Sequence, residues 1–239
     1  MSYGRIGVIG AMDSELTALI AALAQPARET VQGLAFHTGR LGAREVVLVR
    51  CGIGKVSAAR CTQVLIDRFA PAAVINTGIA GGLGAGLAVG DIVVADGLVQ
   101  HDFDAAPIGF VRGCLCMGDP CTPTVFTPDE PLSALLARTA GDAAGAQRVH
   151  RGLIATGDQF ISGAAAKAAI RSAFPAAMAA EMEGGAVAQA ASMSGVPFAV
   201  VRAISDLADG TAAASFEQFE QRAADVSAAT VLQALALLD

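Results

Sequence analysis

Val196-Pro197-Phe198-Ala199-Val200-Val201-Arg202-Ala203-Ile204-Ser205-Asp206-Leu207-Ala208-Asp209 is the stretch that decides the fold class. It begins as a nearly continuous apolar run, the pattern of a strand buried on both faces of a helix-covered sheet. It ends in four polar groups close behind that strand: Arg202, Ser205, Asp206 and Asp209. In open α/β sheets the ligand crevice lies outside the carboxyl ends of the strands. A carboxyl group there is partly desolvated, which raises its pKa and lets it carry a proton to a substrate. The same spacing also fits an aspartate that closes a turn or caps a helix, and on spacing alone both readings stand.

Working outward, Ala177-Met178-Ala179-Ala180-Glu181-Met182-Glu183-Gly184-Gly185-Ala186 is a short strand entering an alanine-rich helix. Residues two apart point in different directions in either structure. One of Glu181 and Glu183 therefore faces the crevice while the other pairs elsewhere. Before it, Val149–Thr156 reads as a strand, followed by Gly157-Asp158-Gln159-Phe160-Ile161; Phe160 is either core or a stacking surface for a flat ligand. Residues 164–174 read as a helix that stops before Pro175.

At the other end, Arg5-Ile6-Gly7-Val8-Ile9 reads as a buried strand and Gly10-Ala11-Met12 as its tight exit. Asp13 or Ser14 is the expected cap of a helix with Leu16, Leu19, Ile20 and Leu23 on its apolar face. Glu15 then lies in the first helical turn, at the carboxyl end of the first strand. It either complements the helix dipole or faces the crevice as a base that the dipole keeps ionised. Two strands, 36–40 and 45–50, surround a turn at Leu41-Gly42. Cys51-Gly52-Ile53-Gly54-Lys55 lacks the GxxxxGK[ST] spacing of a phosphate loop, so Lys55 is read as the structural start of a helix to about Phe69.

Ala73-Val74-Ile75-Asn76-Thr77 is another buried strand and runs into Gly78-Ile79-Ala80-Gly81-Gly82-Leu83-Gly84. These glycines do not fit G-x-G-x-x-G, so a dinucleotide fingerprint is absent. They either let backbone approach a ligand or form a flexible connection. Residues 89–95 are expected as a strand, and about 100–130 as an irregular segment, with His101 and Asp102 at its start as a turn, a subunit contact or a catalytic pair. A helix is expected from about 132 to 144. Ser215 with Gln218 fits a capping box for a closing helix buried along Val226, Ala229, Leu232, Leu235 and Leu238.

The chain has 239 residues, 54% hydrophobic and 16% charged, with net charge −6. Alternating strands and helices with no linker, repeat or charge run predict one α/β domain over residues 1–239, with a mostly buried mixed sheet flanked by helices. No apolar run reaches the ~18 residues of a spanning helix, and the start has no signal-peptide core, so a cytoplasmic protein is expected. One Tyr, no Trp and no basic run argue against nucleic acid. Five cysteines without a CxxC pair are read as reduced thiols, and the spacing of Cys114, Cys116 and Cys121 does not suit zinc. No metal or cofactor is expected.

Five pieces in order resemble the nucleoside phosphorylase/nucleosidase superfamily: Ile9-Gly10-Ala11-Met12-Asp13-Ser14-Glu15, Gly52-Ile53-Gly54-Lys55, Asn76-Thr77-Gly78-Ile79-Ala80-Gly81-Gly82, Glu181-Met182-Glu183, and Val201-Arg202-Ala203-Ile204-Ser205-Asp206. Within it they look most like the nucleosidases of 5′-methylthioadenosine and S-adenosylhomocysteine. The resemblance implies hydrolysis of an N-glycosidic bond without a cofactor. Asp206 would protonate adenine N7, Glu15 would activate water, and Glu183 with the Met182 backbone would hold the ribose hydroxyls. Phe160 would stack on adenine and the Ile161 backbone would pair with its edge. Met12, Ile53 and Phe216 would line the ribose and 5′-thio pocket, beside Ile79, Ala80 and Gly81. Arg202 and Ser205 would steady the polar groups. The resemblance also implies a homodimer in which the loop 102–110, with Ala105 and Ile108, meets the partner's pocket. Ile79 stands where many such nucleosidases carry a hydroxyl, and Gly184-Gly185 replaces a bulkier helix start. A phosphorylase on the same fold, a hydrolase of another nucleoside such as futalosine, and a non-catalytic nucleoside sensor are the alternatives. Asn76–Gly82 and Ile9–Glu15 offer no arginine for phosphate, and a sensor has no need of both Glu15 and Asp206.

Overall fold

The first strand, β1 (Ile6–Gly10), is buried along its whole length because helices cover both faces of the sheet it centres. The structure is a computed structural model describing residues 4–115, 121–143, 148–209 and 212–238. After β1 come α1 (Asp13–Ala21), β2 (Ala24–Val31), β3 (Leu34–Leu41), β4 (Arg44–Arg50), α2 (Lys55–Phe69), β5 (Ala73–Gly82) and β6 (Ile92–Gln100). Then follow α3 (Glu130–Ala143), β7 (Val149–Thr156), α4 (Ala164–Ala173), β8 (Ala177–Glu181), α5 (Gly184–Met193), β9 (Phe198–Asp206) and α6 (Ala212–Leu237).

These strands join one mixed sheet in the order β2-β3-β4-β1-β5-β8-β7-β6-β9. A further β5–β9 pairing closes β5, β8, β7, β6 and β9 into a ring. The period-2 alternation of the strands sorts their side chains into two layers. Ile6, Val8, Ile75, Ala199 and Val201 pack with Leu16 and Leu19 of α1, Leu136 of α3 and Val231 of α6. Ile9, Val74, Phe198 and Val200 pack with Leu65 of α2 and Val187 of α5 on the other side. The apolar run at 198–206 is thus a strand buried at all nine positions, as its composition predicts.

Several boundaries differ from the sequence reading. β2 is unforeseen: Ala-Gln-Pro-Ala-Arg-Glu-Thr-Val has no apolar alternation, because it is an edge strand paired only with β3. Pro26 is tolerated there because an edge strand leaves N–H groups unpaired. β5 continues as strand through Gly78–Gly82 rather than loosening into a connection. β6 starts at Ile92, not 89, and reaches Gln100. The cap of α1 is Met12; Asp13 and Ser14 lie inside the first turn, where Asp13 pairs with Arg50 and Ser14 Oγ donates to Glu220 at 2.8 Å. α6 begins at Ala212, so Ser215 sits within the helix rather than at its cap position. Its buried stripe is Ala223, Ala224, Ser227, Ala228, Val231, Ala234 and Leu235, with Val226, Ala229, Leu232 and Leu238 flanking it half-buried. Cys116 lies outside the described residues. No described helix is long and apolar enough to cross a membrane, and no group of three or more His, Cys, Asp or Glu among the described residues is placed to hold a metal.

Candidate active site

The carboxyl ends of β1, β5, β8 and β9 open into one cleft. It brings together Met12, Glu15, Ile53, Ile79, Ala80, Gly81, Phe160, Ile161, Met182, Glu183, Ser205, Asp206 and Phe216. Glu181 also lines it, as do Ala11, Gln159 and Ala180, which were not singled out; each of these three is next to, or two residues from, one that was.

Glu15 is held at the floor. Its Oε2 accepts from Ala11 N–H at 2.5 Å and Met12 N–H at 3.0 Å, and its Oε1 from Ile79 N–H at 3.2 Å. A Cβ on Gly78 would lie 2.5 Å from Glu15 Oε1, so a glycine there makes room for the carboxylate. Burial pushes the Glu15 pKa above the usual carboxyl range, and outweighs the opposing Arg202 charge and the three N–H donors. The expected ionisation by the helix dipole is therefore not the dominant effect, because a carboxylate 4% exposed has lost most of its water.

Asp206 sits at the end of β9. Its Oδ2 accepts from Ser205 Oγ at 2.9 Å and its Oδ1 from Ala208 N–H at 3.0 Å. Burial raises its pKa, with a smaller push from Asp209, against Ala208, Ser205 and Lys167. A carboxyl group with a raised pKa beside a cleft is suited to donate a proton.

Glu181 and Glu183 both line the cleft, against the expectation that only one would, and they differ in their partners. Glu181 Oε2 accepts from Arg202 at 2.6 Å, from Glu183 N–H at 3.0 Å and from Gly184 N–H at 2.6 Å, and its Oε1 accepts from Thr156 Oγ1. Arg202 acts on the polar groups from behind the cleft. It does not line the cleft, and its guanidinium is taken up by Glu181 and Asn76 rather than by Glu15 or Glu183. Glu183 keeps its side chain at the cleft, where Oε1 accepts Gly54 N–H at 2.9 Å. Burial and the neighbouring Glu181 charge push its pKa up to about 7. Gly184 and Gly185 permit this packing: a Cβ on either would come within 3 Å of Leu98 or Thr156.

The Gly52-Ile53-Gly54-Lys55 segment closes over Glu183. Gly54 has φ 94°, and a Cβ there would meet Asp158 Oδ1 at 3.1 Å. Lys55 is structural, with Nζ on Asp102 at 2.5 Å. Asp102 also accepts Asp158 N–H at 2.9 Å, so it ties two loops together and does not orient His101. Phe160 is not core: it is 47% exposed and meets Phe216 edge-on, ring centroids 5.5 Å apart.

Across residues 5–236 the sequence matches the family profile of the Phosphorylase superfamily. It is 42% identical over 235 residues to the 5′-methylthioadenosine/S-adenosylhomocysteine nucleosidase of Actinobacillus succinogenes, covering 98% of this chain and 100% of that one. The chain belongs to this nucleosidase family of the phosphorylase superfamily. Among solved structures, the S. pneumoniae nucleosidase with the transition-state inhibitor MT-ImmA superposes with TM-score 0.91 at 41% identity, over 98% of this chain and 100% of that one. The futalosine hydrolase of Helicobacter pylori superposes with TM-score 0.88 at 33% identity, over 97% of each chain.

Proposed function

We propose that this nucleosidase-family chain hydrolyses the N-glycosidic bond of 5′-methylthioadenosine and S-adenosylhomocysteine, releasing adenine and a 5-thioribose derivative. The observation that carries the reading is the pairing of two buried carboxyl groups with raised pKa, Glu15 and Asp206, on one cleft with Glu183. Asp206 gives its proton to adenine N7. The C1′–N9 bond then breaks and its electron pair leaves with a neutral base. The sugar passes through an oxocarbenium-like state that the surrounding carboxylates stabilise. Water attacks C1′ and loses its proton to Glu15, a base strengthened by burial. Glu183 accepts the ribose hydroxyl protons in charge-assisted hydrogen bonds. Phe160 offers a face to the base, and Met12, Ile53, Ile79 and Phe216 give the 5′-thio group an apolar wall.

A phosphorylase would have to bind a dianion beside the sugar. The described lining carries Glu15, Glu181, Glu183 and Asp206 and neither Lys nor Arg. Burying phosphate there unpaired is prohibitive. Futalosine is the second reading, favoured by the similarity to futalosine hydrolase. Adenine release from 5′-methylthioadenosine, S-adenosylhomocysteine and 5′-deoxyadenosine, against base release from futalosine, tests the assignment. Turnover of the first two is expected, and turnover confined to futalosine would replace them.

The same reading includes a homodimer. Ile53, Val56 and Ile108 are 58, 81 and 75% exposed, an apolar surface that favours covering. Lys55, between the first two, is bonded to Asp102 at the start of the loop 102–110, which joins that loop to the cleft rim. A second copy laid on this surface would place its own loop, with Ala105 and Ile108, at the mouth of the pocket. The thiols of Cys51 and Cys61 suit a reducing compartment, and the cytoplasm is the location that fits.

A further inference from the structure

β5 and β9 run parallel in register from Val74 opposite Phe198 to Ala80 opposite Ile204; the register then slips, and Gly81 lies opposite Asp206. Ser205 is the extra residue of a bulge. Bulges re-aim the side chain that follows and end regular pairing. Here the slip brings Asp206 to the cleft against Gly81, where a Cβ would lie 3.0 Å from Asp206 Oδ1. Beyond it the β5–β9 ladder has no further pair. The carbonyls of Gly82, at the end of β5, and Leu207, just past β9, instead both accept from Lys167 Nζ, at 2.8 and 2.7 Å.

Lys167 reaches them from α4, outside the cleft. The next residue, Ala208, is buried and held at φ 49°, a left-handed conformation that residues with a Cβ avoid. Its N–H is one of the two donors on Asp206. We propose that Lys167 is a positioning residue for Asp206, cross-linking the ends of β5 and β9 so that the strained Leu207–Ala208 turn holds the acid toward the substrate. The inference rests on Asp206 being the proton donor.

The ammonium also bears on the acid's strength. The charged groups facing Lys167 are Asp206 and Asp209 at the end of β9 and in the turn behind it, and Arg171 on α4. Lys167 opposes the rise in the Asp206 pKa caused by burial. Without this cation the carboxylate form is less favourable, so the Asp206 pKa rises further and the protonated acid persists to higher pH.

The test compares Lys167→Met, Lys167→Arg and Asp206→Asn on 5′-methylthioadenosine, with kcat and KM followed between about pH 5 and 9. Lys167→Met is expected to lower kcat by ~10–100-fold with KM within about threefold, as misplacement of a reacting group does. Its alkaline limb moves to higher pH. Lys167→Arg, which keeps charge and donors, recovers most of kcat. Parental kcat and an unmoved limb in Lys167→Met would overturn the proposal, as would a loss of thermal stability alone. Should the methionine variant not fold, Lys167→Gln carries the same readouts. Parental turnover in Asp206→Asn would remove the acid itself, and this outcome is distinct because it does not depend on Lys167.

Discussion

Glu15, Glu183 and Asp206 are the same kind of group, and their surroundings give them different work. Burial raises the Asp206 pKa, whereas Asp91, just before β6, has its pKa lowered. Burial opposes that lowering, but Ala88 N–H, His150 and Arg148 outweigh it. Asp206→Asn keeps the shape and removes the proton, so kcat for adenine release should fall by ~10²–10⁴-fold. Unchanged kcat would take Asp206 out of the mechanism. Gly78→Ala should drive a methyl group onto Glu15 Oε1 and cost ~10²-fold in kcat, with thermal unfolding close to that of the parent. Glu183 supplies a pH signature. Its pKa stands at about 7, and it must be ionised to accept the ribose hydroxyls, so kcat/KM should fall as pH drops below that value. The sign for stability is opposite. A carboxyl raised from 4.5 to about 7 costs nothing below its unfolded pKa and costs fully above its folded one. Glu183→Gln should therefore raise Tm at pH 8 while weakening substrate binding, and a lowered Tm there would contradict the burial argument.

At the scale of elements, the site depends on a buried polar network that joins β5, β7, β8 and β9. Asn76, Thr156, Glu181 and Arg202 fill each other's hydrogen-bonding capacity, and the Arg202–Glu181 pair has side chains 2% exposed on both partners. Removing one member of a buried pair leaves an uncompensated charge. Arg202→Met should therefore destabilise the fold by about 3–5 kcal/mol in urea unfolding. A cost below about 1 kcal/mol would mean that the pair is hydrated and contributes little. Much of this level was legible in the sequence. Apolar runs mark the strands at 6–9 and 198–206, since residues buried on both faces announce themselves. β2 was not legible, because an exposed edge strand has no pattern to distinguish it from a loop. Nor was Lys167, which in Ala-Ala-Ala-Lys-Ala-Ala-Ile-Arg reads as a solvated helix charge. Its contact with two carbonyls exists only because the bulge at Ser205 ends the ladder. Arg202 was noticed, but its partner was not: Glu181 and Glu183 are equally close in sequence, and only the turn into α5 decides which one meets it.

For the whole molecule, the ring closed by β5, β8, β7, β6 and β9 gathers loops from distant parts of the chain around one opening. Ile53, which lines that opening, Val56 and Ile108 are exposed apolar side chains. On the proposed homodimer, Ile108→Asp should shift the mass in light scattering from dimer toward monomer and raise KM. A variant that stays dimeric with parental KM would place the subunit contact elsewhere. The absence of Lys and Arg from the described lining of the cleft is the feature that separates water from phosphate as the nucleophile. The measurement that bears most directly on this is product analysis with 5′-methylthioadenosine, in phosphate-free buffer and in buffer with increasing phosphate. Adenine release at full rate without phosphate, with free 5-methylthioribose as co-product at every phosphate concentration, is the predicted result. A sugar 1-phosphate that increases with added phosphate would contradict hydrolysis and make the chain a phosphorylase.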